Sequence, residues 1–277
     1  MKVIVAESSG FCPGVRNAIN MAEKTLSKEK NVHSLGEIIH NKDVISEYQK
    51  KGVKIVDSIT DIKDGIGVVR AHGLPKSIVL EAQEKGYHVI DATCPYVRQI
   101  SRIIEKEIKN KSAIFLVGEP NHPEVIAASH DFAEYATVID HKNFDPALFS
   151  FPKSKSALLS QTTMSEKIFA EIAAHFIKNC GSVYVYNTIC PSTKNRQSSA
   201  VETAKKVEFM VILGGKNSSN TKRLYELCKE IVPSYHIERI SELPQENIKG
   251  KKIAGITAGA STPDWIVSEA QDYLKKQ

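Results

Sequence analysis

The chain lacks a hydrophobic run long enough to cross a lipid bilayer, which takes roughly 20 predominantly apolar residues. The apolar stretch in residues 1–7 is also too short for the core of a secretory signal. We therefore expect a cytoplasmic protein that makes no contact with a membrane.

Aromatic residues are few, at 7% of the sequence, and they do not alternate with clusters of basic residues. Proteins that bind single-stranded nucleic acid stack the bases on aromatic side chains along a basic groove. The formal net charge of +5 comes instead from lysines scattered among acidic residues, a pattern typical of a solvated surface. We therefore expect no nucleic-acid partner.

Cysteine is scarce as well, with five residues in 277. Disulfides are rare in a reducing cytoplasm, so a cysteine in a repeated context is better interpreted as a metal ligand or a reactive thiol. Cys12, Cys94 and Cys190 share the context Cys-Pro-x-Val/Thr-Arg/Lys-Asn/Gln. Cys180 and Cys228 lack it, and we expect them to pack as small apolar side chains.

Short apolar runs rich in Val and Ile alternate with longer stretches of helical periodicity, a pattern typical of parallel βαβ units. We predict twelve strands, at residues 3–6, 32–35, 54–56, 66–69, 88–92, 113–118, 137–139, 156–160, 182–187, 209–214, 235–237 and 252–258. Their number favours an α/β fold with three similar modules of mostly parallel sheet. We expect the modules to form a pseudo-threefold ring around a central cluster.

Repeated turns support the division into three modules. The Cys-Pro turns are 82 and then 96 positions apart, and the glycines after the first strand of each module, Gly36, Gly118 and Gly214, have the same separations. A looser set of turns follows the third strands, at residues 70–73, 160–163 and 259–262. The predicted modules are residues 13–95, 96–191 and 192–277, with a strand in residues 1–12 completing the third.

Each patterned cysteine is predicted to lie just before a helix, because its proline suits a first helical turn and the following apolar spacing is helical. A helix N-terminus favours thiolate over thiol. Parallel sheets bind ligands at the carboxyl ends of their strands, so the three thiolates should face one centre. Three thiolates without a fourth predict an iron–sulfur cluster with one open iron. Zinc held by three Cys and one His, and three buried structural thiols, remain alternatives.

Hydrogen-bond donors collect in the turns at the predicted strand ends. They are His40, His72, His122, Ser218, Ser219, Asn220 and Ser261. Charge-assisted hydrogen bonds contribute roughly 1.5–3 kcal/mol each, so four or five such donors could hold a diphosphate without a Walker loop. Glu124 is the carboxyl best placed to give a proton to a leaving hydroxyl. A glutamate that merely stabilises a helix N-terminus is the alternative interpretation.

Seven segments carry a resemblance to a known family. They read GFCPGV at 10–15, LGEIIHN at 35–41, RAHG at 70–73, DATCP at 91–95, NHPE at 121–124, QTT at 161–163 and KNSSN at 216–220. They are similar to the signatures of the bacterial 4-hydroxy-3-methylbut-2-enyl diphosphate reductases of the non-mevalonate isoprenoid pathway, and the resemblance runs nearly end to end.

The resemblance implies a 4Fe-4S oxidoreductase that removes the allylic hydroxyl of its substrate with two electrons and two protons, forming isopentenyl and dimethylallyl diphosphates. It implies cluster ligation by Cys12, Cys94 and Cys190, diphosphate binding by the donors named above, and proton donation by Glu124. It also implies that Thr162 lies beside the substrate hydroxyl and relays a proton from Glu124.

The electron donor implied by the resemblance is ferredoxin or flavodoxin, which would deliver electrons singly. Two other functions stay open from the residues alone. One is a metal-stabilised phosphate-ligand binding module without turnover, and the other is a redox sensor whose labile cluster reports oxidant.

Overall fold

The structure is a computed structural model that describes residues 1–39, 41–62 and 64–277. The described residues form three sheets of four parallel strands, with α-helices and short 3-10 helices between the strands. Across these ranges, no helix is both long enough and apolar enough to span a membrane.

The strands and helices alternate along the chain. The strands are β1 (Lys2–Val5), β2 (Val32–Leu35), β3 (Val53–Val56), β4 (Ile66–Val69), β5 (His88–Asp91), β6 (Ala113–Gly118), β7 (Ala136–Asp140), β8 (Lys155–Ser160), β9 (Ser182–Val185), β10 (Phe209–Leu213), β11 (Ser234–Ile237) and β12 (Ile253–Ala258). The α-helices are α1 (Pro13–Leu26), α2 (Lys42–Lys50), α3 (Lys76–Glu84), α4 (Pro95–Lys109), α5 (Pro123–Ser129), α6 (Glu166–Asn179), α7 (Pro191–Ala204), α8 (Ser219–Lys229) and α9 (Asp264–Lys275).

All three sheets have the same strand order. They run β3-β2-β4-β5, β7-β6-β8-β9 and β11-β10-β12-β1, and every pairing is parallel. The N-terminal strand β1 therefore holds in the third sheet the edge position that β5 and β9 hold in the other two. The prediction of three similar parallel α/β modules is confirmed, and each predicted strand is present with ends that differ by at most two residues.

The chain divides into two compact units. Unit 1 comprises Met1–Arg16, Ile39–Lys50 and Pro191–Gln277, and it contains the third sheet together with α2. Unit 2 comprises Asn17–Ile38 and Lys51–Cys190, and it contains the first and second sheets. The ring arrangement and the three module boundaries remain predictions.

Helix α4 shows how local sequence positions a site residue. Cys94 is its N-cap and Pro95 its first residue, where the missing N–H leaves no bond unmade. Val97, Ile100 and Ile104 recur at helical spacing and are buried, and the two isoleucines pack in the core beside β6 and β8. This burial fixes the helix N-terminus, and with it Cys94, next to the strand ends.

The other face of the second sheet is packed by aromatic side chains. The rings of Phe115 on β6 and Phe176 on α6 have centroids 4.9 Å apart in an edge-to-face arrangement. Phe149 and Phe151 from the loop before β8 contact the same Phe176 ring. This cluster holds α6 against the sheet that carries the turn at residues 160–163.

Phe176→Ala should destabilise the protein by about 3–5 kcal/mol, because a fully buried ring is replaced by a cavity. The adjacent Ile177 is 63% exposed, so Ile177→Ala should change the free energy of unfolding by less than about 0.5 kcal/mol. Denaturant titration monitored by circular dichroism measures both changes. Equal effects of the two substitutions would contradict the packing described.

Candidate functional site

The predicted site residues of unit 2 all follow the carboxyl end of a strand. His72 follows β4, Cys94 follows β5, His122 and Glu124 follow β6, Thr162 follows β8, and Cys190 follows β9. Carboxyl ends of parallel strands share one edge of a sheet, which is where open α/β sheets bind ligands. His40 lies outside the described residues.

Glu124 and Thr162 form a buried hydrogen-bonded pair. The Thr162 backbone N–H donates to Glu124 Oε1 at 2.6 Å, and the Thr162 hydroxyl donates to Glu124 Oε2 at 2.7 Å. Both side chains are buried, with only 2% of Glu124 exposed. The structure thus brings the two predicted catalytic residues together, although they are far apart in sequence.

Burial raises the pKa of Glu124 to about 7 from its ordinary value of 4.5, and the two hydrogen bonds from Thr162 lower it by less. A carboxyl with a pKa near neutrality is protonated in a substantial fraction of molecules at physiological pH and can act as a general acid. Glu124 also lies in the first turn of α5, as the alternative interpretation required. A position in the first turn of a helix does not explain why Glu124 accepts two hydrogen bonds from Thr162, which lies in the turn after β8.

Each patterned cysteine is held by the same backbone hydrogen bond. The N–H of Cys94 donates to Ala71 at 3.0 Å, that of Cys190 donates to Thr162 at 2.9 Å, and that of Cys12 donates to Ala260 at 3.1 Å. Each acceptor is the second residue after the third strand of its sheet, namely β4, β8 and β12. The three cysteines therefore have equivalent local environments, which accounts for the third set of repeated turns in the sequence.

The side chains of these cysteines fit a thiolate-bound group. None of the five cysteines forms a disulfide within the described residues, and the three patterned ones are partly exposed. Each directly precedes a helix, and Cys12 Sγ accepts the Val15 N–H at 3.4 Å. Donors of this kind stabilise thiolate sulfur. Within residues 1–39, 41–62 and 64–277, no three His, Cys, Asp or Glu side chains are grouped so as to hold a single metal ion.

Two of the predicted diphosphate-binding histidines are neighbours. The rings of His72 and His122 meet edge to face with centroids 5.7 Å apart. His122 Nδ1 accepts the Glu124 N–H at 3.2 Å, so in the neutral ring the proton resides on Nε2. His122 can therefore donate through Nε2 while it caps α5.

The remaining predicted donors lie in unit 1 around the start of α8. Ser218 is the N-cap and accepts the Thr221 N–H, and Ser219 and Asn220 form the first turn. Asn220 is buried, and its Nδ2 has no hydrogen-bond partner among the described residues. An unsatisfied buried donor at a helix N-terminus suits an anionic ligand. Ser261 follows β12 and is also buried.

Lys216 does not contribute its charge to this helix terminus. Its ammonium donates to the His236 carbonyl at 2.6 Å and lies 3.5 Å from the Glu242 carboxylate. The turn therefore offers N–H, amide and hydroxyl donors to an anion.

Two buried residues that the sequence interpretation did not assign also contact the turns. Gln161 accepts the Glu119 N–H and donates to the Thr163 hydroxyl. Arg196 on α7 donates to the carbonyls of Ser8 at 3.1 Å and Ala258 at 2.8 Å, which ties the turn before Cys12 to the end of β12. The sequence could have indicated Gln161 as a site residue, because it is a polar residue directly after a predicted strand. No sequence pattern distinguishes Arg196.

The fold and these residues define a parallel α/β protein with a buried, hydrogen-bonded glutamate–threonine pair and three patterned cysteines after its strand ends. The family model described as LytB protein matches residues 3–275. The chain belongs to the LytB family, which confirms the family predicted from the sequence segments.

Curated and solved relatives agree with this assignment. A protein of Alkaliphilus oremlandii named 4-hydroxy-3-methylbut-2-enyl diphosphate reductase is 41% identical over 99% of both chains. A solved (E)-4-hydroxy-3-methyl-but-2-enyl diphosphate reductase, described as the terminal enzyme of the non-mevalonate pathway, is 36% identical with a TM-score of 0.73 over the full length of both chains. The solved reductase of Plasmodium falciparum is 28% identical with a TM-score of 0.89, covering 99% of this chain and 87% of that one.

Glu124→Gln should change how stability depends on pH. Because burial holds the pKa of Glu124 above its unfolded value, the wild-type free energy of unfolding falls as pH rises from 4.5 through about 7. The loss is roughly 3 kcal/mol, and the Gln variant should escape it. Denaturant titrations at about pH 5 and about pH 8 measure the difference between the proteins.

The matched control is Glu134→Gln, since Glu134 is exposed. Its stability should follow that of the wild type at both pH values. A stability difference between wild type and Glu124→Gln that does not vary with pH would contradict the raised pKa.

Proposed function

We propose that this chain is an oxidoreductase that removes the hydroxyl of 4-hydroxy-3-methylbut-2-enyl diphosphate and forms isopentenyl and dimethylallyl diphosphates. The observation that carries the proposal is the buried Glu124–Thr162 pair, whose acid has a pKa near 7 and whose Thr162 carbonyl accepts the Cys190 N–H. Replacing a hydroxyl by hydrogen consumes two electrons and two protons and releases water. The names of the full-length relatives support this reaction.

Cys12, Cys94 and Cys190 would hold one 4Fe-4S cluster, with the fourth iron left without a protein ligand. When bound, the cluster would supply the electrons and a Lewis-acidic iron. The support is that all three cysteines are outside any disulfide among the described residues, precede helices, and make the same kind of backbone hydrogen bond. A helix N-terminus favours the charged thiolate that iron requires.

The diphosphate would be held by neutral donors. They are His40, His72, His122, Ser218, Ser219, Asn220 and Ser261. The start of α8 contributes N–H groups and the positive end of its dipole, and the buried Asn220 amide has a donor to offer. His122 would donate through Nε2.

Glu124 would supply a proton to the leaving hydroxyl through Thr162. In its protonated form Glu124 can donate to Thr162 Oγ1, whose own proton is then directed to the substrate oxygen. Glu124 Oε2 and Thr162 Oγ1 are already 2.7 Å apart, with the hydroxyl as donor, so the relay reverses this hydrogen bond without moving the heavy atoms. Burial of both side chains keeps bulk water from replacing this donor.

Electrons would arrive one at a time from ferredoxin or flavodoxin in the cytoplasm. We expect neither a nucleic-acid partner nor a membrane contact for this activity. The small-molecule partner is the allylic diphosphate itself.

The protein purified without oxygen should be brown and contain about four irons with a similar amount of sulfide per chain. Each of Cys12→Ser, Cys94→Ser and Cys190→Ser should lose the colour and most of the iron, because a thiolate ligand is removed. Cys180→Ser is the matched control and should keep both. Ultraviolet–visible spectra and metal analysis decide, and a colourless protein with one zinc would contradict the cluster and favour a binding module.

Glu124→Gln should lower kcat by about 10²–10⁴-fold, because the general acid is lost. Iron content and the Kd for the substrate should stay near the wild-type values, since Gln keeps the shape of the protonated acid. Anaerobic turnover with a chemical reductant, together with calorimetric titration of the diphosphate, measures both quantities. Full turnover by this variant would contradict the proton-donor role, and Glu134→Gln controls for the substitution itself.

A further inference from the structure

The side chain of Gln161 joins two turns of the second sheet. Gln161 directly follows β8 and is 2% exposed. Its Oε1 accepts the backbone N–H of Glu119 at 2.9 Å, and its Nε2 donates to the Thr163 hydroxyl at 2.8 Å. Glu119 begins the turn that leads to Glu124, whereas Thr163 belongs to the turn that contains Thr162. One amide group therefore spans the two turns that carry the catalytic pair.

We propose that Gln161 is a positioning residue whose amide holds the turn at 119–124 against the turn at 161–163, so that Glu124 meets Thr162 in a water-free contact. The inference rests on the proposed function in taking Glu124 as the proton donor. Gln161 itself acts only through the backbone and through Thr163.

The packing around Gly118 shows that the amide has one fixed place. A Cβ added at Gly118 would lie 2.9 Å from Gln161 Oε1 and 3.0 Å from Gln161 Cβ. It would also lie 2.9 Å from Val125 on α5. The glycine at the end of β6 thus gives the Gln161 side chain the space it occupies between the strand and α5.

The first sheet contains the same arrangement with a different side chain. Arg70 directly follows β4, and a Cβ added at Gly36 would lie 2.6 Å from Arg70 Nη1. In both sheets the residue after the third strand thus packs against a glycine at the end of the first strand, Gly36 directly after β2 and Gly118 as the last residue of β6. A guanidinium at position 161 would lower the pKa of a nearby carboxyl, whereas the neutral amide makes the bridge without adding charge.

The Gln161 amide, which bridges the two turns, affects the pKa of Glu124 because burial is the main cause of that raised pKa. If the turns separate, water reaches the carboxyl and its pKa falls towards 4.5. Because a general acid acts only when protonated, the fraction of active enzyme falls as pH rises through the pKa of the acid. The basic limb of the kcat profile should therefore move to lower pH when the bridge is removed.

The test substitutes Gln161→Met, which has a similar length and no hydrogen-bonding amide. In the holoenzyme, the infrared band of the protonated Glu124 carboxyl is identified by its loss in Glu124→Gln and is then titrated. The midpoint in Gln161→Met should fall by at least about one pH unit. The pH at which kcat declines on the basic side of its profile should fall by the same amount. KM for the diphosphate should change by less than about twofold, because no diphosphate donor is altered.

Gly118→Ala provides a second route, because the added methyl group crowds the Gln161 amide, and also Val125, without changing the chemistry of the amide. It should also lower the midpoint of the Glu124 titration, and it tests the proposal if Gln161→Met does not fold. Gln83→Met on the exposed face of α3 is the matched control and should leave the midpoint unmoved.

A midpoint that is unchanged or raised in the folded variants would overturn the proposal, even if turnover is lost. The infrared titration needs no turnover, so the two proposals can fail separately. A wild-type protein that does not convert the diphosphate, combined with a lowered midpoint in Gln161→Met, would refute the function and leave the positioning role standing.

Discussion

The backbone hydrogen bond from each patterned cysteine to the turn after a third strand sets the geometry of the strand ends. It occurs once in each sheet, with N···O distances of 2.9–3.1 Å, and in every case the acceptor lies in the turn that carries a predicted substrate or catalytic residue. Ala71 precedes His72, Thr162 is itself the acceptor, and Ala260 precedes Ser261. The proposed metal ligands and the proposed substrate donors are therefore placed by the same few main-chain atoms.

Among the described residues, burial is what raises the pKa of Glu124, and the hydrogen bonds from Thr162 lower it by less. Glu124 is buried, and its carboxylate accepts hydrogen bonds from the N–H and the hydroxyl of Thr162. A buried carboxyl with neutral partners is protonated more readily than one in water. Packing thus gives Glu124 the raised pKa that the proposed proton-donor role needs.

Much of this could be predicted from the sequence, because its signals are local. Alternation of apolar runs located all twelve strands, and the equal spacing of the turns predicted three similar modules. The strand predicted at 182–187 ends at Val185, although the Tyr186 N–H still donates to the Leu158 carbonyl. The Tyr186 side chain instead turns to the Glu107 carboxylate at 2.8 Å, a contact that no local pattern encodes.

Long-range contacts account for what the sequence did not predict. Helix α2 belongs to unit 1 although its neighbours in sequence are in unit 2, and Arg239 pairs with Asp43 at the start of α2 at 2.8 Å. The Gln161 bridge likewise joins residues 42 positions apart. The pKa of Glu124 depends on burial by several segments, so the residue type alone could not distinguish a proton donor from a helix-capping glutamate.

The most direct test of the account is a crystal structure of the cluster-loaded protein with 4-hydroxy-3-methylbut-2-enyl diphosphate. We predict that the substrate hydroxyl lies within about 3.2 Å of Thr162 Oγ1, with the diphosphate bonded to Ser218 and Asn220. A diphosphate bound away from the start of α8, or a hydroxyl out of reach of Thr162, would contradict the proposal that these strand-end turns form one reductase site.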